Sequence, residues 1–139
     1  MALKFRRLLP AAGEMAARMA RLAPPSVLSG TVVPVPTAPL RTLGRGFDPA
    51  AELAVALARL TGLEVSPCLA RGGAGRQVGK RRGQRLGHPP RLRLRGEAPP
   101  SALLLDDVLT TGATLSACAR ALRKGGSIRV TAITFTRRL

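Results

Sequence analysis

The sequence predicts an α/β domain with a parallel central sheet, and three observations predict it. Short apolar runs, Thr31 to Val33, Ala102 to Leu105 and Ile128 to Phe135, have the character of strands. They alternate with helix-patterned segments in the order that crossover connections require. The second run ends in adjacent carboxylates, Asp106 and Asp107, followed by a loop of threonine and glycine and then a helix start. Open α/β sheets bind their ligands at that carboxyl edge. The chain has seven acidic residues, so two side by side at this place stand out. Its 139 residues fit a single domain, 1–139, with enough length to bury a core.

The elements follow in order. Residues 1–30 form a helical lead-in. Its helix is read over Ala11 to Leu22, with Met15, Met19 and Leu22 at helical spacing and Pro24-Pro25 ending it. The first strand, Thr31 to Val33, is stopped by prolines and gives way to a turn. Asp48 suits an N-cap and Pro49 a first turn, so Pro49 to Leu60 reads as a helix closed by Gly62. Leu63 to Leu69 reads as a second strand and Arg91 to Arg95 as an edge strand. Between them, residues 70–95 read as a basic mobile flap. Nine Arg and Lys residues lie from Arg71 to Arg95, and no acid lies between Glu64 and Glu97. Ala102 to Leu105 is the central strand, Ala113 to Lys124 a helix ended by Gly125-Gly126, and Ile128 to Phe135 the last strand.

Composition narrows the classes. Three phenylalanines are the only aromatics, so the core is aliphatic. A net charge of +16 draws polyanions, although an Arg-favouring codon bias gives the same composition. Cys68 and Cys118 form no CxxC pair, which argues against a structural zinc site and implies no disulfide framework. Cys118 reads as a small core residue. No apolar run reaches the roughly 20 residues of a membrane span, and the basic N-terminus lacks an h-region. A cytoplasmic protein without membrane insertion is the expectation.

The acid pair carries the chemistry. Adjacent strand residues point differently, yet two carboxylates at a strand end can embrace a diol or a hydrated Mg²⁺. Val108 to Thr114 then offers backbone N–H groups at a helix start, hydroxyls from Thr110, Thr111 and Thr114, and close approach at Gly112. Carboxylates for ribose hydroxyls beside donors for a 5′-phosphate describe a ribose-phosphate site. A plain strand-to-helix turn with solvated aspartates is the structural alternative. A Walker B strand is another, but it needs a Walker A loop. Ala74 to Arg81 has Gly79-Lys80 and lacks both the first glycine and the terminal Ser/Thr. His88, the sole histidine, lies among prolines and reads as an exposed polar residue.

LLLDDVLTTGAT resembles the phosphoribosyl-pyrophosphate (PRPP) motif of the type I phosphoribosyltransferases. More narrowly, the chain resembles the competence protein F (ComF) family from about Val32 to Phe135. Four landmarks carry the resemblance: VVPVP at Val32 to Pro36, RGF at Arg45 to Phe47, the Gln77 to Arg85 stretch, and the DDVLTTGAT block. The resemblance implies a three-layer type I phosphoribosyltransferase-like fold. It implies Asp106 and Asp107 at the ribose hydroxyls, in the catalytic centre. Thr110, Thr111, Gly112, Ala113 and Thr114 would hold the 5-phosphate, and Val35, Pro36 and Thr37 would form the pyrophosphate loop. Arg41 or Arg45 would neutralise pyrophosphate, and Mg²⁺ would come with the ligand near the acid pair. The N-terminal four-cysteine zinc ribbon usual in that family is lacking, so no zinc is expected; the chain is a short member or its true start lies upstream. RGFNQ of the family is RGFDP here, through Asp48 and Pro49, and His88 stands where an Asn is expected.

Three functions compete. One is a role in natural transformation, handling single-stranded DNA with the competence helicase and other DNA-uptake proteins; Arg76, Lys80, Arg81, Arg82 and Arg85 would then contact DNA. Another is a Mg²⁺-dependent phosphoribosyltransferase acting on an unidentified nucleobase or amine acceptor. The third is a PRPP-sensing regulator, for which no helix-turn-helix is evident. Phe47 is the one candidate stacking residue, so DNA contact would be backbone-dominated and salt-dependent. A homodimer is carried by the superfamily resemblance alone.

Overall fold

A computed structural model describes residues 2–36, 48–72, 91–109 and 111–137. Helix α1 (Ala2–Leu22) leads into β1 (Thr31–Pro34), followed by α2 (Pro49–Thr61), β2 (Leu69–Arg71) and β3 (Leu92–Leu94). Strand β4 (Ser101–Leu109), helix α3 (Ala113–Lys124) and strand β5 (Arg129–Arg137) complete the order. The main sheet is parallel, in the order β1-β4-β5.

Period-two alternation sorts the strand side chains into two cores. Val32, Leu103 and Leu105 face α1 and α2, packing with Ala16, Met19, Leu53 and Leu57. Val33, Ala102 and Leu104 face α3 and the β2–β3 ribbon, packing with Cys68, Leu69, Cys118 and Leu122. Three layers result, with β4 buried on both sides, as its unbroken Ala-Leu-Leu-Leu run demands. Gly30, at φ 85°, is required where the chain enters β1, because a Cβ there would lie 2.6 Å from the Ser101 carbonyl oxygen.

Several sequence expectations change. The first helix begins at Ala2 rather than Ala11. Leu63 to Leu69 is not one strand. Val65 alone bridges Val32 in parallel, the Val32 N–H donating to the Glu64 carbonyl and the Ser66 N–H to the Val32 carbonyl. The segment then turns away, and β2 pairs antiparallel with β3, within the expected edge strand. Strand β1 extends through Pro34 for a related reason. The Val32 N–H points toward Glu64, so the nitrogen of Pro34, two residues on, points to the side where that pairing has ended. The ladder to β4 continues past the proline, with the Val35 N–H donating to the Leu105 carbonyl at 2.9 Å.

The connections place a binding crevice. From β1 the chain crosses through α2 to Val65 on one side; from β4 it crosses through α3 to β5 on the other. The winding reverses between β1 and β4, and a topological switch point opens a crevice at the carboxyl ends of those two strands. Among the described residues, no helix is long and apolar enough to cross a membrane.

Candidate functional site

The crevice is walled by Val35 and Pro36 after β1 and by the end of β4. Strand β4 does not stop at Leu105. Its pairing with β5 continues as Asp106 to Thr134, Val108 to Thr136 and Leu109 to Arg137, so both aspartates lie inside a regular strand. The cradle is correspondingly shorter than Val108 to Thr114: it starts after Leu109. The apolar run ends at Leu105, but β5 supplies a ladder partner beyond it and Val108-Leu109 suit a strand.

Alternation sends the two carboxylates to opposite faces of the sheet. Asp106 follows Ala102 and Leu104 toward α3, and Asp107 follows Leu103 and Leu105 toward α1 and α2. Both are half-buried. An Asp106 carboxylate oxygen accepts from the Asp107 N–H at 2.9 Å, which fixes the rotamer of the first acid. Cys118 reports the charge around it. This thiol is pushed up to about 12, first by burial and then by the Asp106 carboxylate, with the Arg71 guanidinium opposing them. Asp106 and Arg71 therefore converge on one side of the sheet, above a dry core.

Arg71 is a residue that motif reading assigned only to the flap. Its Nε donates to the Pro36 carbonyl oxygen at 3.3 Å, linking the end of β2 to the turn after β1. The pairing of Leu69 with Leu94 and of Arg71 with Leu92 sets that position, and no local sequence signal announces a ribbon whose strands are so far apart in the chain. The Val35 side chain is buried, so it anchors the turn and only its backbone can face a ligand.

The loop after β4 turns through Gly112 at φ 83°, a left-handed conformation suited to glycine. The Thr111 hydroxyl accepts from the Ala113 N–H at 3.2 Å, and the Ser116 N–H closes the first helical turn on the Gly112 carbonyl. Thr111 and Ala113 are exposed and Thr114 is half-buried. The positive end of the α3 dipole thus meets the crevice at its rim. The structure brings together Val35, Pro36, Asp106, Asp107, Thr111, Gly112, Ala113 and Thr114 at one edge. Thr37, Arg41, Arg45, Thr110 and the basic residues Arg76, Lys80, Arg81, Arg82 and Arg85 lie outside the described residues.

No family model matches the sequence, and no curated protein does. Solved structures share its fold. One is the allosteric regulatory enzyme of purine biosynthesis, at 19% identity and a TM-score of 0.56, covering 92% of this chain and 25% of that one. Another is glutamine PRPP amidotransferase from B. subtilis, complexed with ADP and GMP, at 20% identity and a TM-score of 0.56, covering 92% and 26%. The chain spans about a quarter of the length of these proteins. With its parallel three-stranded sheet, it has a type I phosphoribosyltransferase-like fold.

Proposed function

We propose that the crevice between β1 and β4 binds the ribose 5-phosphate part of PRPP together with Mg²⁺. One observation carries this reading: the topological switch point coincides with the acid pair and the glycine turn into α3. Asp106 and Asp107 accept the ribose hydroxyls from the two sides of β4. The N-terminus of α3, with Thr111 and Thr114, receives the 5-phosphate. Among the described residues, no three His, Cys, Asp or Glu side chains gather to hold a metal. The residues fit a Mg²⁺ that arrives bound to the diphosphate and is held beside the acid pair through it.

The same arrangement suits glycosyl transfer. The bond from ribose C1 to pyrophosphate breaks, a bond to an acceptor forms, and positive charge builds on the ribose while negative charge leaves on pyrophosphate. Carboxylates under the sugar and a guanidinium such as Arg71 at the leaving group match that pattern. The acceptor class is a nucleobase or amine. At the biological level, the VVPVP, RGF and Gln77 to Arg85 landmarks favour a competence-type role in the uptake of single-stranded DNA. The acid-free Arg71 to Arg95 run supports contact with the DNA backbone.

Calorimetric titration of PRPP with Mg²⁺ tests the site. Saturable binding by wild type, lost in Asp106→Asn/Asp107→Asn, is the expected result. Absence of binding by folded wild type overturns it. For the DNA role, Arg81→Glu/Arg82→Glu/Arg85→Glu should abolish binding of single-stranded DNA at low salt, and an unchanged affinity would count against that role.

A further inference from the structure

We propose that the outer edge of β5, with the cleft beside it, is a docking site for an acidic peptide segment that adds a strand to the sheet. Among the described residues β5 pairs only with β4, so a nine-residue strand presents its other edge. Native edges are normally blunted by Pro, Lys, bulges or a covering element, because an open row of N–H and C=O groups templates pairing with another chain. Strand β5 contains neither Pro nor Lys, and its two charged residues, Arg129 and Arg137, stand at its two ends, leaving residues 130–136 uncharged. Arg129 is turned aside, donating to the Ser26 carbonyl oxygen at 2.8 Å.

Beside this edge lies a cleft of about 530 Å³ between the last turn of α1 and β5. Leu22, Val27, Ile133 and Phe135 give it an apolar floor, with Arg18 at the wall and no acidic residue in the lining. Leu22 is 81% exposed at its mouth, within reach of an incoming apolar side chain. An extended peptide satisfies all of these features. Its main chain pairs with β5, alternate apolar side chains enter the cleft, and its carboxylates meet Arg18.

Charge selects the occupant. Two copies of a chain of +16 repel each other, which disfavours β5-to-β5 pairing and favours an acidic partner. The proposal is independent of the ribose-phosphate site, which lies at the carboxyl ends of β1 and β4.

The test uses the full chain and a fluorescein-labelled eight-residue peptide alternating Glu with Val or Ile. A control peptide of the same charge carries proline at two central positions. Anisotropy should show saturable binding of the first peptide in the micromolar range and far weaker binding of the second. Arg18→Glu/Leu22→Asp, both exposed positions, should weaken binding about tenfold or more, a typical loss when an anchor contact is removed. Hydrogen exchange provides a readout on wild type itself: the amides of residues 132–136 should gain protection when peptide is added. Equal binding of the proline peptide would reduce the effect to charge attraction and overturn the proposal. An unaffected variant would do the same. A wild-type dimer by sedimentation, converted to monomer in the variant, would assign the edge to a second copy instead.

Discussion

Helices α2 and α3 begin differently, although each follows a parallel strand and carries an apolar stripe toward the sheet. At α2 the Asp48 carboxylate accepts from the Ala50 and Ala51 N–H groups at 3.1 and 3.4 Å, and Pro49 contributes no N–H. That helix end is closed by its own anion. At α3 the N-cap position is Gly112, which has no side chain to offer, and a threonine hydroxyl touches only the Ala113 N–H. Nothing anionic from its own turn neutralises that end. The contrast separates a helix start that is structural from one left to receive an anion from outside, and it agrees with the position of the switch point. Of the seven carboxylates, Asp48 caps α2, and Asp106 lies on the α3 side of β4 near its carboxyl end.

The largest expected effect comes from removing the acid pair. Each carboxylate-to-hydroxyl hydrogen bond contributes about 1.5–3 kcal/mol, so Asp106→Asn/Asp107→Asn should weaken PRPP–Mg²⁺ binding by at least about a hundredfold. Calorimetry reads this directly. Asp48→Asn in the same assay should leave affinity within about twofold, because its anion belongs to a closed cap. Equal losses from both variants would erase the distinction between the two helix starts.

The next effect concerns the floor of the open end. Cys118 lies fully buried behind Asp106, and its thiol is pushed up from 9.0 to about 12, first by burial and then by the aspartate. An unfolded thiol ionises near 9, and the folded one resists. The stabilisation from keeping it neutral is therefore complete below pH 9 and is lost as pH rises from 9 toward 12. The slope is at most about 1.4 kcal/mol per pH unit. Urea unfolding between pH 8 and 10.5 should show this alkaline decline, and Cys118→Ala should be less stable at pH 8 but decline less steeply. Parallel slopes in the two proteins would mean that the thiol is not held in a dry core.

How far the sequence exposed this design depends on where each signal is local. Helix α2 was legible from Asp48, Pro49 and Gly62, and its end shifts only from Leu60 to Thr61. Helix α3 has the expected bounds, because the apolar stripe of Leu115, Cys118 and Leu122 and the Gly125-Gly126 stop are all local. The acid pair was legible as chemistry but not as geometry. The apolar run ends before Asp106, whereas the strand's extension to Leu109 depends on β5, more than twenty residues later. The β2–β3 ribbon and the bridge at Val65 are tertiary pairings with no periodic signature over so few residues. Arg71 carries no local site signal for the same reason, since only the ribbon brings it to Pro36. Lys4, Arg6, Arg7 and Pro10 obscured the helical periodicity of the first turns of α1.

Two left-handed glycines sharpen the comparison further. Gly62 closes α2 at φ 80° with nothing within 4 Å of an added Cβ, and Gly112 opens α3 at φ 83° with only a Leu109 methyl at 3.9 Å. Alanine fits the space at both and is strained at both, at a cost of about 1 kcal/mol. Gly62→Ala and Gly112→Ala should therefore lower the melting temperature by similar amounts. Only Gly112→Ala should also weaken PRPP binding, because the strain and the added methyl fall where the phosphate approaches the backbone. A matched loss of affinity in Gly62→Ala would place the ligand effect in global stability rather than in the turn.

The smallest effects discriminate between the two caps themselves. Asp48→Ala leaves two N–H groups of α2 to water and removes a favourable charge–dipole contact, a loss of about 1 kcal/mol in chemical unfolding. Thr111→Ala removes one exposed hydrogen bond at the start of α3 and should cost no more than about 0.5 kcal/mol. In ligand affinity the order reverses: Thr111→Ala loses a hydroxyl at the phosphate position, whereas Asp48→Ala loses nothing there. The pair of measurements is decisive because stability and affinity move in opposite order. If Thr111→Ala proves to be the more destabilising variant while binding PRPP as wild type does, the threonine is an ordinary cap and the start of α3 is as closed as that of α2.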